Sequence, residues 1–424
     1  MALDFQQINE QVREMGENAP AREHRLKELR KLARQQLKRD ALELDRLRDK
    51  VRKTVQLYDP SLRCALPVEE PLDSHFPQPE MPETVTILAA DGSQIALDRH
   101  SEVEYCLINV GAFQMACGSP DQPETFVKSR IMYADELYTE WGVITEATLA
   151  LRRDLGERTM LAELAEQAVF PAAIPAVTPA ATPAGTNLPG FPGTNSKIPV
   201  VSFTDGPMEL WGAKDSKGEA GTEFKESLRA YQEALSRLHK LGAITAGYVD
   251  KPGANLVIRL LEVAMASEEE LPEIRKCHPL RGVRDGDLYR DLLGAGERSP
   301  VYAMQSQSAR SYAGPLALHF FYLNVGRPGS FDLARVEIPA WVAENSTMLD
   351  HLHAVLVRQC RIMGARPFPY ALHRAHETAV VSLQEKEQVT QMITLELRRR
   401  GVPVAGRSHK QAAKDNPGRT RYEG

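Results

Sequence analysis

Two apolar runs of the same build constrain this chain most. Thr84-Val85-Thr86-Ile87-Leu88-Ala89-Ala90 leads into Asp91-Gly92-Ser93, and Val200-Val201-Ser202-Phe203-Thr204 leads into Asp205-Gly206-Pro207. Short, β-branched runs closed by turn residues read as buried strands. Ile244 to Val249 reaches Asp250-Lys251-Pro252 in the same way. Val103 to Val110 follows the first strand at hairpin distance, and Leu316 to Val325 alternates with Ala334 to Ile338 like an antiparallel pair. Helical patterns stand among the strands over 145–168, 223–241, 254–265, 287–293 and 346–363, with one more inside 371–400. Strands interleaved with helices specify an α/β fold around a mixed sheet.

The two ends read differently from the middle. Residues 20–58 predict one long amphipathic helix with Pro20 in its first turn. Leu26, Leu29, Ala33, Leu37, Ala41, Leu44, Leu47, Val51 and Val55 form its stripe, and Asp59-Pro60 stops it. We therefore expect an N-terminal interaction segment over 1–58, a proline-rich linker over 59–83, a main domain over 84–400 and a mobile basic tail over 401–424. Within the main domain, residues 170–199 hold seven prolines separated largely by Ala, Thr and Gly. Such a composition cannot pack a core, so it predicts a flexible insertion.

Formal charge is +4 over 1–58, +5 over 391–424 and −14 between. Basic ends around an acidic body suit a protein that holds a polyanion at its rim and metal ions at its centre. Two solvated helical tails would give the same pattern. The five cysteines are scattered, odd in number and free of any CxxC pair. That argues for a reducing compartment and against a zinc ribbon. Neither a secretory leader nor an apolar run of about 18 residues is visible, so a cytoplasmic protein with no membrane span is expected.

Carboxylates at strand ends of an α/β sheet sit where ligand sites form. On neighbouring strands, Asp91 and Asp205 can converge on a divalent cation, which takes oxygen ligands. Asp-Gly is also a common turn pair. Phosphodiester hydrolysis usually wants a third acid, and the helix at 145–168 offers Glu146, Glu157, Glu163 and Glu166. Glu157 also follows Arg153 by one helical turn, the spacing of an ion pair. Near the C-terminus, Pro367-Phe368-Pro369-Tyr370-Ala371-Leu372-His373-Arg374-Ala375-His376-Glu377 puts His373 and His376 on one helix face, available to a metal or a proton. Their order excludes an HExxH zinc site, and no GxSxG, P-loop or dinucleotide fingerprint occurs. Gly294-Ala295-Gly296-Glu297-Arg298-Ser299 either offers Arg298 to a phosphate or turns a helix end.

Taken in order, Asp91-Gly92-Ser93, Asp205-Gly206-Pro207, Gly247-Tyr248-Val249-Asp250, Gly296-Glu297-Arg298-Ser299 and the segment from Pro369 to Glu377 resemble the NurA nucleases, in a bacterial branch, over roughly residues 84–385. The resemblance implies an RNase H-like core with a central mixed sheet, flanked here by the long N-terminal helix and C-terminal helices. It implies a manganese-dependent deoxyribonuclease, with magnesium as a possible substitute. Single-strand endonuclease and 5′ to 3′ exonuclease activity on DNA ends would serve end resection and repair. The implied partners are DNA, a second copy in a homodimer and the hexameric ATPase HerA. Asp91, Asp205 and His376 match the family's site residues. Glu157 matches its glutamate once the proline-rich stretch is set aside, with Glu163 as the other choice. Its tyrosine falls on Tyr370, or on Phe368, which would lack the hydroxyl. Arg298, Arg374, Arg398 and Arg399 are the expected DNA contacts. The competing expectation is a non-catalytic RNase H-like dimer that clamps DNA or adapts it to HerA.

Overall fold

Helices α1 (Phe5–Arg39) and α2 (Leu44–Leu57) lead into strand β1 (Cys64–Pro67). Three long strands follow, β2 (Val85–Ile95), β3 (Cys106–Cys117) and β4 (Glu124–Met132), then the small pair β5 (Tyr138–Thr139) and β6 (Gly142–Val143). Next come α3 (Glu146–Val169), β7 (Val200–Asp205), α4 (Glu219–Leu241), β8 (Ile244–Asp250), α5 (Leu256–Met265) and α6 (Asp285–Tyr289). The chain continues through β9 (Tyr302–Gln305), β10 (Leu318–Asn324), β11 (Leu333–Pro339) and α7 (Ala340–Ala343). It closes with α8 (Ser346–Ile362), α9 (Tyr370–Ala379) and α10 (Leu383–Arg399). These elements come from a computed structural model that describes residues 3–98, 101–139, 142–170, 198–211 and 219–404. Most of the expected proline-rich insertion, and the tail from residue 405, lie outside the described residues. No described helix is long and apolar enough to cross a membrane.

One unit comprises Met1–Met81, Gly206–Glu209 and Ala246–Pro369. Its strands follow the order β1-β9-β10-β11-β8, with antiparallel neighbours. The single helix expected over 20–58 is two. The first begins at Phe5, capped by Asp4, and carries Pro20 in its interior rather than at its start. It ends where the buried Asp40 carboxylate takes hydrogen bonds from Gln36 Nε2 and Arg46 Nη2, both at 2.6 Å. Ala33 and Leu37 of α1 and Leu47 and Val51 of α2 are buried, and both helices pack on α5. The stripe expected to face a partner is thus used inside this unit from Ala33 onward. The expected linker contains β1, paired with β9.

The second unit comprises Pro82–Asp205, Leu210–Thr245 and Tyr370–Gly424. Its order is β7-β2-β3-β4. The last three form an antiparallel meander, while β7 runs parallel to β2 from Thr86↔Val200 to Ala90↔Thr204. Helix α3, N-capped by Thr145, lies on β2 and β3, and α4 packs on α3. Helix α9 lies on β2 and β3 as well. The α/β class is as expected, and a meander with a parallel strand at its first member is the RNase H-like arrangement the resemblance implied.

Three local readings need correction. The first apolar run does not stop at Asp91-Gly92-Ser93; β2 continues to Ile95 because β3 pairs with it that far. Only the parallel partner β7 stops, at Asp205. Strand β4 was not foreseen: an edge strand that is largely exposed carries no apolar alternation to read. The C-terminal helical stretch is two helices. Ser382 accepts from Glu385 N–H and Glu385 accepts from Ser382 N–H, a capping box that starts α10 afresh.

Candidate active site

The register of β2 and β7 builds the centre of the site. Their last pair is Ala90↔Thr204, so Asp91 and Asp205 follow side by side on strands about 4.8 Å apart. Strand alternation puts both on one face, opposite to the face of Ala90 and Thr204. Asp91 is paired with Gly111 across β3. A Cβ at Gly111 would stand 2.5 Å from Ala379 N and 2.8 Å from Thr378 C, so glycine lets α9 lie directly on the strand. Ser93 Oγ and Asn109 Nδ2 both donate to Ala379 O, at 2.6 and 2.8 Å. This clamp carries His376 onto Asp91, where Nδ1–H donates to Oδ2 at 2.6 Å. The imidazole is 60 % exposed.

Gly92 opens the other face. A Cβ there would meet Arg153 Cγ at 2.5 Å and Glu157 Oε1 at 2.8 Å. The missing side chain lets one turn of α3 lie against the backbone of β2 beside Asp91. The Glu157 side chain is 7 % exposed and pairs with Arg153 Nε at 3.6 Å. Asp154, one turn earlier, accepts from Arg153 Nε at 3.1 Å and Nη2 at 2.8 Å. Burial, then the charges of Asp154 and Asp91, push the Glu157 carboxyl well above its ordinary range. Burial raises Asp154 too, against the pull of Arg153. Beneath them Arg158 is fully buried. Its guanidinium donates to Tyr231 Oη, Thr245 Oγ1 and Thr204 Oγ1 at 3.2, 2.7 and 2.9 Å, which ties α3 to the end of β7.

Carboxylate and imidazole donors suit a divalent cation such as manganese. As arranged, no three His, Cys, Asp or Glu side chains among the described residues converge to hold an ion. Arg153 lies between Asp154 and Glu157.

Of the sequence candidates, His376 bonds to Asp91 and Asp205 follows the last β2–β7 pair next to it, while Glu157 lies against Gly92 on the opposite face of the sheet. Glu163 is further along α3 and pairs with Lys128 at 3.4 Å. His373 pairs with Glu377 at 3.4 Å, apart from Asp91. Tyr370 sets its ring edge-on against Phe113, centroids 5.8 Å apart, and makes no hydrogen bond to the acidic group. Phe368 packs on Tyr248 in the other unit. Arg298 is not a DNA contact. It is buried in the other unit, held by both Glu70 oxygens at 3.0 and 2.9 Å, with its guanidinium 3.9 Å above Phe76. Arg374 pairs with Glu377 at 2.5 Å. Arg398 and Arg399 are exposed in the last turn of α10. Sequence reasoning passed over Asp154 and Arg158. The signal was there: Asp154 precedes Glu157 by three, the spacing of a shared helix face.

A family model, described as the NurA domain, matches residues 203–381. That span contains Asp205 and His376, while Asp91 and Glu157 precede it. No curated protein matches the sequence. Among solved structures the chain is similar to the NurA nuclease from Sulfolobus solfataricus. The TM-score is 0.44 and the identity 10 %, over 77 % of this chain and 87 % of that one. It is also similar to the catalytic domain of human endonuclease V, with TM-score 0.29 and 13 % identity, over 76 % and 92 % of the two chains. The match to the NurA domain thus covers residues 203–381, under half of this chain.

Proposed function

We propose that this protein is a metal-dependent deoxyribonuclease that works as a homodimer with a HerA-type hexameric translocase in DNA end resection. The observation that carries the reading is the pair Asp91 and Asp205, side by side at the end of β7, with His376 bonded to one and the buried Glu157 behind it. Asp91, Asp205 and Glu157 would hold manganese, or magnesium in its place, with His376 beside them. Bound there, the ion supplies charge for the phosphodiester and a more acidic water.

The chain's own groups do the rest. Asp91 accepts the His376 Nδ1 proton and so fixes the ring with Nε2 turned outward, placed to exchange a proton with water or the leaving oxygen. Arg158 holds the end of β7 in register with α3, which keeps Asp205 beside Asp91. Arg374, half-buried on α9, and Arg398 and Arg399, exposed at the end of α10, are assigned to the DNA backbone. Arg298 is removed from that set. The HerA partnership rests on the family resemblance, since the apolar stripe of α1 and α2 is largely buried within its own unit.

The test is degradation of an end-labelled oligonucleotide with manganese, magnesium or EDTA, with wild type beside Asp91→Asn and Asp205→Asn. Manganese-dependent cutting lost in both variants is expected. Absence of cutting by pure wild type, with or without a HerA-type ATPase and ATP, would favour the non-catalytic clamp.

A further inference from the structure

The front of α1 has no part in the account above. We infer that residues 5–22 of α1 form an antiparallel two-helix seam with the same segment of a second copy of this chain. The inference uses none of the metal chemistry; it rests on the homodimer of the reading above and gives it a surface.

The sequence carries the seam. Phe5, Ile8, Val12, Met15, Ala19 and Arg22 follow one another at alternating steps of three and four, and Leu26, Leu29 and Ala33 continue the run. This is the heptad spacing of helices that wind around each other. The chain uses only the far end of it. Ala33 and Leu37 are the buried residues of α1, whereas Phe5, Val12 and Met15 are 57, 52 and 67 % exposed. Residues 3–25 are exposed throughout, save the half-buried Ile8. Nothing inside the unit therefore rewards this stretch for being helical. Gly16 and Pro20 both weaken a helix, and short helices without packing are marginal in water. Pro20 falls on the outer side of the heptad and leaves the seam clear. A helix of this kind is sustained by a partner along its apolar line.

The partner that fits is the segment itself. Setting Val12 against Met15 of the second copy also sets Ile8 against Ala19 and Phe5 against Arg22, each pair occurring twice. A large side chain faces a small one in the Ile8 layer. In the outer layer the Arg22 guanidinium meets the face of the Phe5 ring, which attracts a cation. On the flank Asp4 stands opposite Arg25, and both are exposed. A parallel pair in register would instead press Arg22 against Arg22 within the seam and align the two helix dipoles. Each contact of the antiparallel pair is returned by its mirror contact, as a twofold interface requires.

The experiment is sedimentation equilibrium of the full chain, wild type beside the double variant Val12→Glu with Met15→Glu. Both side chains are exposed, so the variant should fold as wild type does, which circular dichroism checks. Its dimer dissociation constant should rise at least about a hundredfold. Direction is read by oxidative cross-linking. Val12→Cys and Met15→Cys proteins, mixed, should give a peptide linked from position 12 to position 15, found by mass spectrometry. Either protein alone should give far less linked product. A dimer that survives the double variant unchanged would overturn the seam and leave the homodimer and the nuclease reading standing. If that variant keeps its dimer but loses binding to a HerA-type ATPase, the face belongs to that partner and the inference is likewise overturned. Wild type that is monomeric at every concentration would overturn the seam and the homodimer together. Links from 12 to 12 and from 15 to 15 in the single variants would mean a parallel pair and overturn the antiparallel arrangement.

Discussion

Asp91 and His376 lie 285 residues apart in the chain and 2.6 Å apart in space, Oδ2 to Nδ1. The contact exists because Gly111, opposite Asp91, lets α9 lie on the sheet, and because Ala379 O is held by Ser93 and Asn109. It fixes which imidazole nitrogen faces outward. His376→Ala should therefore lower kcat by roughly 10²–10⁴-fold, the range of a lost general acid or base. Tm should barely move, since the ring is 60 % exposed. Single-turnover cleavage beside thermal unfolding checks this; an unchanged kcat contradicts it.

The two glycines of the site predict different failures. At Gly92 an added methyl meets the Arg153 stem and the Glu157 carboxylate, both side-chain atoms. Gly92→Ala should cost about 1–2 kcal/mol of stability and most of the activity, because Glu157 is pushed off β2. At Gly111 the methyl meets the backbone of α9, which cannot rotate away. Gly111→Ala should cost about 2–3 kcal/mol or more. Urea unfolding of both variants separates the two, and a Gly111→Ala protein as stable as wild type would contradict the packing described.

Arg298 is argued to stabilise its unit rather than bind DNA. Cutting it to Ala removes both guanidinium bonds to Glu70, which keeps only Val301 N–H, and empties the space above Phe76. About 3 kcal/mol should be lost, the usual cost of breaking a largely buried pair. The salt dependence of DNA binding, measured where the variant is folded, should be unchanged, whereas Arg374→Ala should flatten it. A flatter slope in Arg298→Ala would restore it to the DNA surface.

His353 gives a pH signature. It is buried in α8, donates Nε2–H to Gly296 O at 2.7 Å, and burial pushes its pKa down to about 4. The unfolded chain takes up the same proton at about pH 6.5. Its contribution is therefore full above about pH 6.5 and is lost as pH falls through the folded-state value, a change of about 3 kcal/mol. Unfolding free energies at pH 7.5 and 4.5 should differ by less in His353→Phe than in wild type. Equal differences would contradict the burial argument.

Strands whose residues are buried on both faces were legible in the sequence, as were helices with a clear apolar face. β7, β8 and α8 needed only periodicity and a cap. β4 was hidden because an exposed edge strand has no apolar code. The break at Asp40 was hidden because a buried carboxylate closing a turn looks, in sequence, like one more charged residue of a helical back. In the site, Asp91 and Asp205 were legible as aspartates after apolar runs. What distinguishes Asp91 is not a strand end but the end of its parallel partner, a fact of pairing rather than of local sequence. Arg298 misled because a phosphate contact and a buried bidentate pair use the same side chain in the same kind of loop. Tyr370 rested on the family pattern, and its ring sits on Phe113.

The central claim is that Asp91, Asp205 and Glu157 form one metal centre. Anomalous diffraction from crystals of the full chain grown with manganese tests it most directly. The account predicts one principal peak coordinated by Asp91 and Asp205. A peak remote from Asp91 and Asp205, or none while a metal-dependent nuclease activity persists in the same preparation, would contradict it.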